Sequence, residues 1–289
     1  MIEIDNIYNM ACLEGMKQIP DGSVDAVITS PPDNFCLRVR GENYTRWGKN
    51  EEFGHTGRKV NKYINGLTDD LDMEDYFDWQ CECIDQMLRI SKGVVFYNIQ
   101  LITVNKVAVF QIIGKYADRI REVLIWDKRN AEPAMHEGVL NSEYELIIAF
   151  DHGDCKGRQF RTANWERGTL SNVLRIGKNR ENEHRAAFPL QLPRTIIHNF
   201  TNEGDTVCDP FMGSGTTAIA CIKEKRHFIG FELGKEYFDK AQKRIKAEQA
   251  QYTLFYPPQP DSVSDHQPNT VSDHQPDSVS ASRPNSDIR

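Results

Sequence analysis

The sequence predicts a doubly wound α/β domain on a mostly parallel sheet, and three observations carry that prediction. Short, near-continuous apolar runs recur along the chain, as strands buried on both faces require. Segments of helical periodicity alternate with those runs, which favours parallel pairing through crossovers. A glycine-rich turn, "DPFMGSGTTA" from Asp209, joins one such run to a helix.

The strands come first. "VDAVITS" from Val24, "GVVFYNI" from Gly93, "REVLIW" from Arg121 and "YELIIAF" from Tyr144 are strand candidates. Two more, "DTVCDP" from Asp205 and "HFIGFE" from His227, lie late in the chain. Between the first pair, "DMEDYFDWQCECIDQMLRI" puts Phe77, Cys81, Ile84 and Leu88 on one helical face, with acids in its first turn. "GKEYFDKAQKRIKAEQA" repeats the pattern with Phe238, Ala241 and Ile245. Trp126 and Trp165 are expected as packing residues.

Composition bounds the class. A chain of 289 residues with 39% hydrophobic and 27% charged residues is ordinary for a globular protein of one large or two small domains. No apolar run approaches the roughly 20 residues of a membrane span, and the N-terminus shows no basic region leading into an apolar core. Residence in the cytoplasm is the expectation. Seven cysteines, an odd number with no CxxC pair, imply reduced core thiols and no metal site.

The net charge of −7 conceals two basic stretches. Residues 36–66 carry seven basic residues, among them Arg38, Arg40 and Arg46, against three acids, with Tyr44 and other aromatics interspersed. Residues 155–185 carry eight, including Arg158, Arg161 and Arg167, again against three acids. Both are long for simple connections. Solvated loops and phosphate-gripping loops are equally good readings of such composition. From Asp261 an eight-residue unit ("DSVSDHQP") occurs three times with a proline in each copy, so residues 257–289 read as a disordered tail behind a domain of residues 1–256.

The glycine turn carries the first chemistry. Gly213 and Gly215 open backbone angles closed to other residues, and the helix starting near Thr216 offers free N–H groups. The next strand ends in Glu232, 19 residues beyond Gly213, where a carboxylate can accept both hydroxyls of a ribose. A helix cap at Thr216 and a surface glutamate are the plainer alternative. A nicotinamide-type site usually opens its domain, whereas here little chain remains. The sheet must therefore be completed by strands that come earlier, a permuted nucleoside-binding topology.

"TSPPDNF" from Thr29, "DPFMGSGTT" and "FIGFELGKEYFDKAQKRI", in that order, resemble the β group of DNA amino-methyltransferases, which methylate adenine N6 or cytosine N4. "IWDKRNAEPAM" and "NSEYELIIAF" match its middle strands, and the likeness covers residues 1–250. It implies a Rossmann-like methyltransferase fold, S-adenosyl-L-methionine as cofactor, double-stranded DNA as partner and flipping of the target base. It also implies a target-recognition insert at 151–183 and a DNA-facing loop at 36–66. Asp209, Phe211 and the glycine turn would hold the cofactor, with Cys12 from "NMACLEGM" and His184 and Phe188 from "EHRAAFPLQLPRTII". A homodimer and a restriction endonuclease partner are both compatible with the family. A DNA-binding protein that keeps the fold without useful catalysis, and an RNA or protein methyltransferase, are the alternatives.

The resemblance gives the proline elbow a purpose. An exocyclic amine is a poor nucleophile because its lone pair is delocalised into the ring. Ser30 Oγ and the Pro31 carbonyl would accept its two N–H groups and turn that lone pair toward the methyl donor. Pro31 and Pro32 hold the carbonyl at a fixed angle, so positioning supplies the gain. Where the family places an aromatic to stack on the base, this chain has Asp33, and Ala11 stands where an acid commonly reaches the cofactor's adenine. Phe35, Tyr44 or Trp47 would then supply the stacking ring.

Overall fold

The strands, in chain order, are β1 (Asn6–Tyr8), β2 (Ala26–Thr29), β3 (Leu37–Arg40), β4 (Asn43–Arg46), β5 (Val95–Ile99), β6 (Ile120–Asp127), β7 (Tyr144–Phe150), β8 (Val173–Arg175), β9 (Thr206–Asp209) and β10 (His227–Phe231). The helices are α1 (Cys12–Met16), α2 (Met73–Ile90), α3 (Lys106–Lys115), α4 (Gln191–Phe200), α5 (Thr216–Lys223) and α6 (Lys235–Phe255). This computed structural model describes residues 2–34, 71–129, 137–153, 157–178 and 188–251, and the backbone of 37–40, 43–46 and 252–255. The repeat tail at 257–289 lies outside the described residues, as does most of the basic stretch 36–66.

One eight-stranded sheet runs β1-β10-β9-β2-β5-β7-β6-β8. All neighbours pair in parallel except β7, which is antiparallel to β5 and to β6. The late strand β9 lies directly beside the early β2, with Val207 opposite Ala26 and Cys208 opposite Val27. Strands from the two ends of the chain thus complete one sheet, as the sequence order requires. All six expected strands form. β1 and β8, at three residues each, are too short to leave a pattern.

Both faces of the sheet are covered. Ile28, Phe96, Ile147, Ala149 and Val207 face a core built with Leu192, Ile196 and Ile197 of α4, Ala218 of α5 and Ala241 and Ile245 of α6. Val27, Val95, Tyr97, Ile148 and Cys208 face the other core with α1, α2 and α3. The buried stripe of α2 is Tyr76, Gln80, Cys83, Ile84, Met87 and Ile90 with Cys81, so it is rotated from the expected one; Phe77 and Leu88 sit at its margin. On α6 the expected Ala241 and Ile245 are buried and Phe238 packs partly against them. Cys12, Cys81, Cys83, Cys208 and Cys221 are free, buried thiols. Among the described residues no helix is long and apolar enough to cross a membrane.

This topology gives the sheet two unlike edges. Thr29, Ile99, Asp127, Asp209 and Phe231 all end their strands on one edge, and the antiparallel β7 begins there with Tyr144. Open α/β sheets bind ligands at that carboxyl edge.

Candidate active site

The proline elbow leaves β2 at this edge. The Pro32 carbonyl accepts from Tyr76 Oη at 2.8 Å and Gln80 Nε2 at 3.3 Å, while Gln80 Oε1 accepts from Tyr97 Oη at 2.9 Å. Helix α2 and strand β5 therefore clamp the second proline. The Pro31 carbonyl accepts no hydrogen bond among the described residues. Asp33 is tied to the loop after β5. Its Oδ1 accepts from the Gln100 N–H at 3.2 Å and its carbonyl from Asn105 Nδ2 at 3.0 Å. Asn34 follows at φ +62°, a left-handed angle that asparagine tolerates, and its amide exchanges two bonds of 2.8 Å with the Leu71 backbone. That pair ties the end of the elbow to the residue two before α2.

Behind Ser30 lies a polar chain that the sequence does not announce. Asn98 Nδ2 donates to Ser30 Oγ at 3.2 Å and to Glu145 Oε2 at 2.7 Å. Lys128 Nζ pairs with Glu145 Oε1 at 2.8 Å, and Lys128 is only 1% exposed. Its only traces in the sequence are Asn98 and Glu145, each a polar residue within an apolar strand segment, while Lys128 stands in the charged stretch that follows β6.

The glycine turn lies beside the elbow. Asp209 ends β9, buried, and accepts from Thr29 Oγ1 and Thr217 Oγ1 at 2.6 Å each and from the Phe211 N–H at 3.0 Å. Burial pushes its carboxyl up to about 6, against the pull of those bonds. Asp209 thus orders the turn from inside. Gly213 at φ +55° and Gly215 at φ +85° take left-handed angles, and a Cβ on Gly215 would lie 3.2 Å from that of Ala241. Glu232 Oε2 accepts from the Gly213 N–H at 2.9 Å and Oε1 from the Gly234 N–H at 2.7 Å; burial raises its carboxyl. Arg244 of α6 donates to Ser214 Oγ at 2.8 Å and to its carbonyl. Asn9 fixes the end of β10 through the Glu232 and Leu233 carbonyls, at 2.8 and 2.9 Å.

Two buried polar atoms here have no partner among the described residues, Thr216 Oγ1 and Asn98 Oδ1. Each is the kind of group a bound ligand would satisfy. Phe188 lies near the strand that leads into the elbow, lining a hollow of about 10 Å³ with Thr29, Asn98 and Leu192. Phe211 is partly buried, edge-on to Trp79 with centroids 5.6 Å apart. The residues present therefore fit a nucleoside-bearing cofactor, with a buried acid, Glu232, beside the glycine turn. A larger groove of about 330 Å³, lined by Asn164, His198 and Lys223–Arg226, lies at the opposite edge, away from this chemistry.

The other expected residues scatter. The Cys12 thiol is buried 3.9 Å from Cys83 Sγ, so its side chain is core packing. His184 lies outside the described residues. Arg38, Arg40, Tyr44 and Arg46 belong to the β3–β4 hairpin, in which Arg38 opposes Thr45 and Tyr44 opposes Val39; their side chains, with Phe35 and Trp47, lie outside the described residues. Arg158 pairs with Glu122 near the start of β6, and Arg161 donates to the Lys92 carbonyl ahead of β5 at 3.0 Å. Both sit toward the amino edge of the sheet, at the starts of β6 and β5, whereas the elbow follows the end of β2 at the carboxyl edge. The structure therefore does not bring them to the site, and exposed Arg167 follows in the same stretch. That stretch packs on the domain. Phe160 packs edge-on and Trp165 tilted against Phe200, each with centroids 4.9 Å away, and the buried Trp126 donates to the Ile176 carbonyl at 2.7 Å, so both tryptophans are packing residues.

Comparison with known proteins adds to this geometry. A family model described as DNA methylase matches residues 24–243. The Type II methyltransferase M1.MboII of Moraxella bovis is 27% identical over 256 residues, 83% of this chain and 96% of that protein. M.BglII of Bacillus subtilis, also a Type II methyltransferase, is 25% identical over 282 residues, 85% of this chain and 70% of that one. Among solved structures, PvuII DNA methyltransferase (cytosine-N4-specific) superposes with a TM-score of 0.61 at 17% identity, over 88% of this chain and 94% of that one. The M1.HpyAVI–SAM complex superposes at 0.54 and 22% identity, over 83% and 98%. At those identities the superpositions establish a common fold.

Proposed function

This chain belongs to the DNA methylase family, and we propose that it transfers a methyl group from S-adenosyl-L-methionine to the exocyclic amine of a flipped DNA base, adenine N6 or cytosine N4. The observation that carries the reading is the join between two motifs: the Thr29–Asp209 bond sets the Ser30–Pro31 acceptors against the glycine turn.

When bound, the cofactor supplies an electrophilic methyl group. The chain supplies position. Glu232 takes the ribose hydroxyls, the turn at Gly213–Gly215 lets the cofactor approach the backbone, and Phe188 packs near its reacting end. Ser30 Oγ and the Pro31 carbonyl accept the two N–H groups of the amine. With Pro32 clamped by Tyr76 and Gln80, the Pro31 carbonyl cannot swing away as the nitrogen becomes tetrahedral. Asp33 serves as the staple that holds the elbow to the loop after β5.

Double-stranded DNA approaches the carboxyl edge. Arg175 ends β8 on that edge and Lys178 follows it, both exposed. They support a DNA path past Arg175 and Lys178, in the late part of the recognition insert expected at 151–183. The Type II designation of the relatives supports a restriction endonuclease partner. Sequencing DNA from cells that express the protein, with detection of N6-methyladenine and N4-methylcytosine, tests the reading and identifies the base.

A further inference from the structure

Lys128 is among the largest fully buried side chains of the protein, at 1% exposure. Its only ion-pair partner among the described residues is Glu145. A buried ion pair is weak support for stability, since an apolar pair of the same volume commonly does as well. Its place next to the elbow therefore calls for another reason. Glu145 links the lysine to the amide, because Oε1 takes Lys128 and Oε2 takes Asn98 Nδ2. The same nitrogen donates to Ser30 Oγ, so both N–H bonds of the amide are used and its orientation is set. Asn98 Oδ1 is left buried and without a partner among the described residues.

We infer that Lys128, Glu145 and Asn98 form a buried relay of positioning residues that fixes the Ser30 hydroxyl toward the reacting amine. The inference rests on the methyl transfer proposed above. Donation from Asn98 occupies one lone pair of Ser30 Oγ and leaves the other for an N–H of the base. Without that donor the hydroxyl can rotate, and its own hydrogen can turn toward the amine. Each of the three residues comes from a different strand end, those of β5, β6 and β7, so a rigid sheet edge sets the direction of one oxygen.

Two double variants separate positioning from structure. In Lys128→Met with Glu145→Gln, the charges are gone but the glutamine carbonyl can still accept from Asn98. In Lys128→Met with Glu145→Leu, the volume is kept and the acceptor is gone. Both should melt near wild type and bind S-adenosyl-L-methionine within about twofold of it. The glutamine pair should keep kcat within a few-fold of wild type at saturating DNA, and the leucine pair should lose about tenfold or more, as for a displaced catalytic hydrogen bond. Equal kcat for the two pairs would overturn the relay. Asn98→Leu reads the same step with the ion pair intact: a similar fall in kcat at unchanged cofactor affinity is expected, and an unchanged kcat would overturn the relay even if the leucine pair melts too early to assay. A wild type that transfers no methyl group to DNA would instead overturn the reading beneath it.

Discussion

Thr29 Oγ1 donates to Asp209 Oδ1 at 2.6 Å across 180 residues of sequence. The bond joins the residue before the elbow to the residue that opens the glycine turn. It exists because β9 lies beside β2 in the sheet, and it sets the two halves of the site in fixed register. Asp209 takes two further donors, so its carboxylate is spent on order within the protein.

That burial has a pH signature. The carboxyl sits at about 6 in the folded protein against an ordinary 3.8. The folded state then holds its proton more tightly than the unfolded chain, so stability falls as pH rises from about 4 through 6 and is level above. Roughly 3 kcal/mol is lost over the window. Urea unfolding at pH 4.5 and pH 7 should show wild type losing about 2 kcal/mol more than Asp209→Asn, because part of the window lies below pH 4.5. Equal losses in the two proteins would remove this account of Asp209.

Glu232→Ala should weaken S-adenosyl-L-methionine binding by about tenfold, since a ribose pair loses its acceptor. It should also lower the melting temperature, because the Gly213 and Gly234 N–H groups lose theirs. Calorimetry that finds equal affinity would take Glu232 out of the cofactor site.

Asp33 gives a contrast between chemistry and architecture. Asp33→Asn keeps an oxygen for the Gln100 N–H and should leave methyl transfer within a few-fold of wild type. Asp33→Tyr supplies a ring but breaks the staple, at about 1 kcal/mol for one broken hydrogen bond. It should melt lower and transfer no faster. A faster tyrosine variant would mean that stacking, not the staple, limits the enzyme.

The DNA path is read from salt dependence. Reversing Arg175 and Lys178 to glutamate should weaken binding and flatten the slope of affinity against salt, by about one unit for each phosphate no longer neutralised. Reversing Arg158 and Arg161 should leave the slope as it is. The opposite pattern would place the DNA at the amino edge of the sheet.

Much of this was legible in the sequence because it is contiguous there. Buried strands such as "VVFYNI" declare themselves by apolar runs, and the elbow and the glycine turn are each a few adjacent residues whose order gives the topology. Asn98, Glu145 and Lys128 were illegible for the complementary reason. Asn98 and Glu145 are single polar residues in apolar segments, Lys128 is one charge among neighbouring charges, and only the sheet brings the three together. Arg158 and Arg161 show what composition lacks: a basic stretch is evident from its residues, but which edge of the sheet it occupies is settled by packing, here of Phe160 and Trp165 on Phe200. The rotated stripe of α2 has a similar origin, since Tyr76 and Gln80 are drawn inward by the Pro32 carbonyl.

The central claim is that Ser30 and its prolines direct methyl transfer to a base amine. Labelled S-adenosyl-L-methionine and duplex DNA of varied sequence, assayed with wild type and Ser30→Ala, test it most directly. The expected result is N6-methyladenine or N4-methylcytosine from wild type. Ser30→Ala should transfer at least about tenfold more slowly at saturating cofactor, because one acceptor of the amine is gone. Its affinity for the cofactor should be unchanged. Ser30→Ala as fast as wild type, or a wild type that binds DNA and methylates no base, would contradict it.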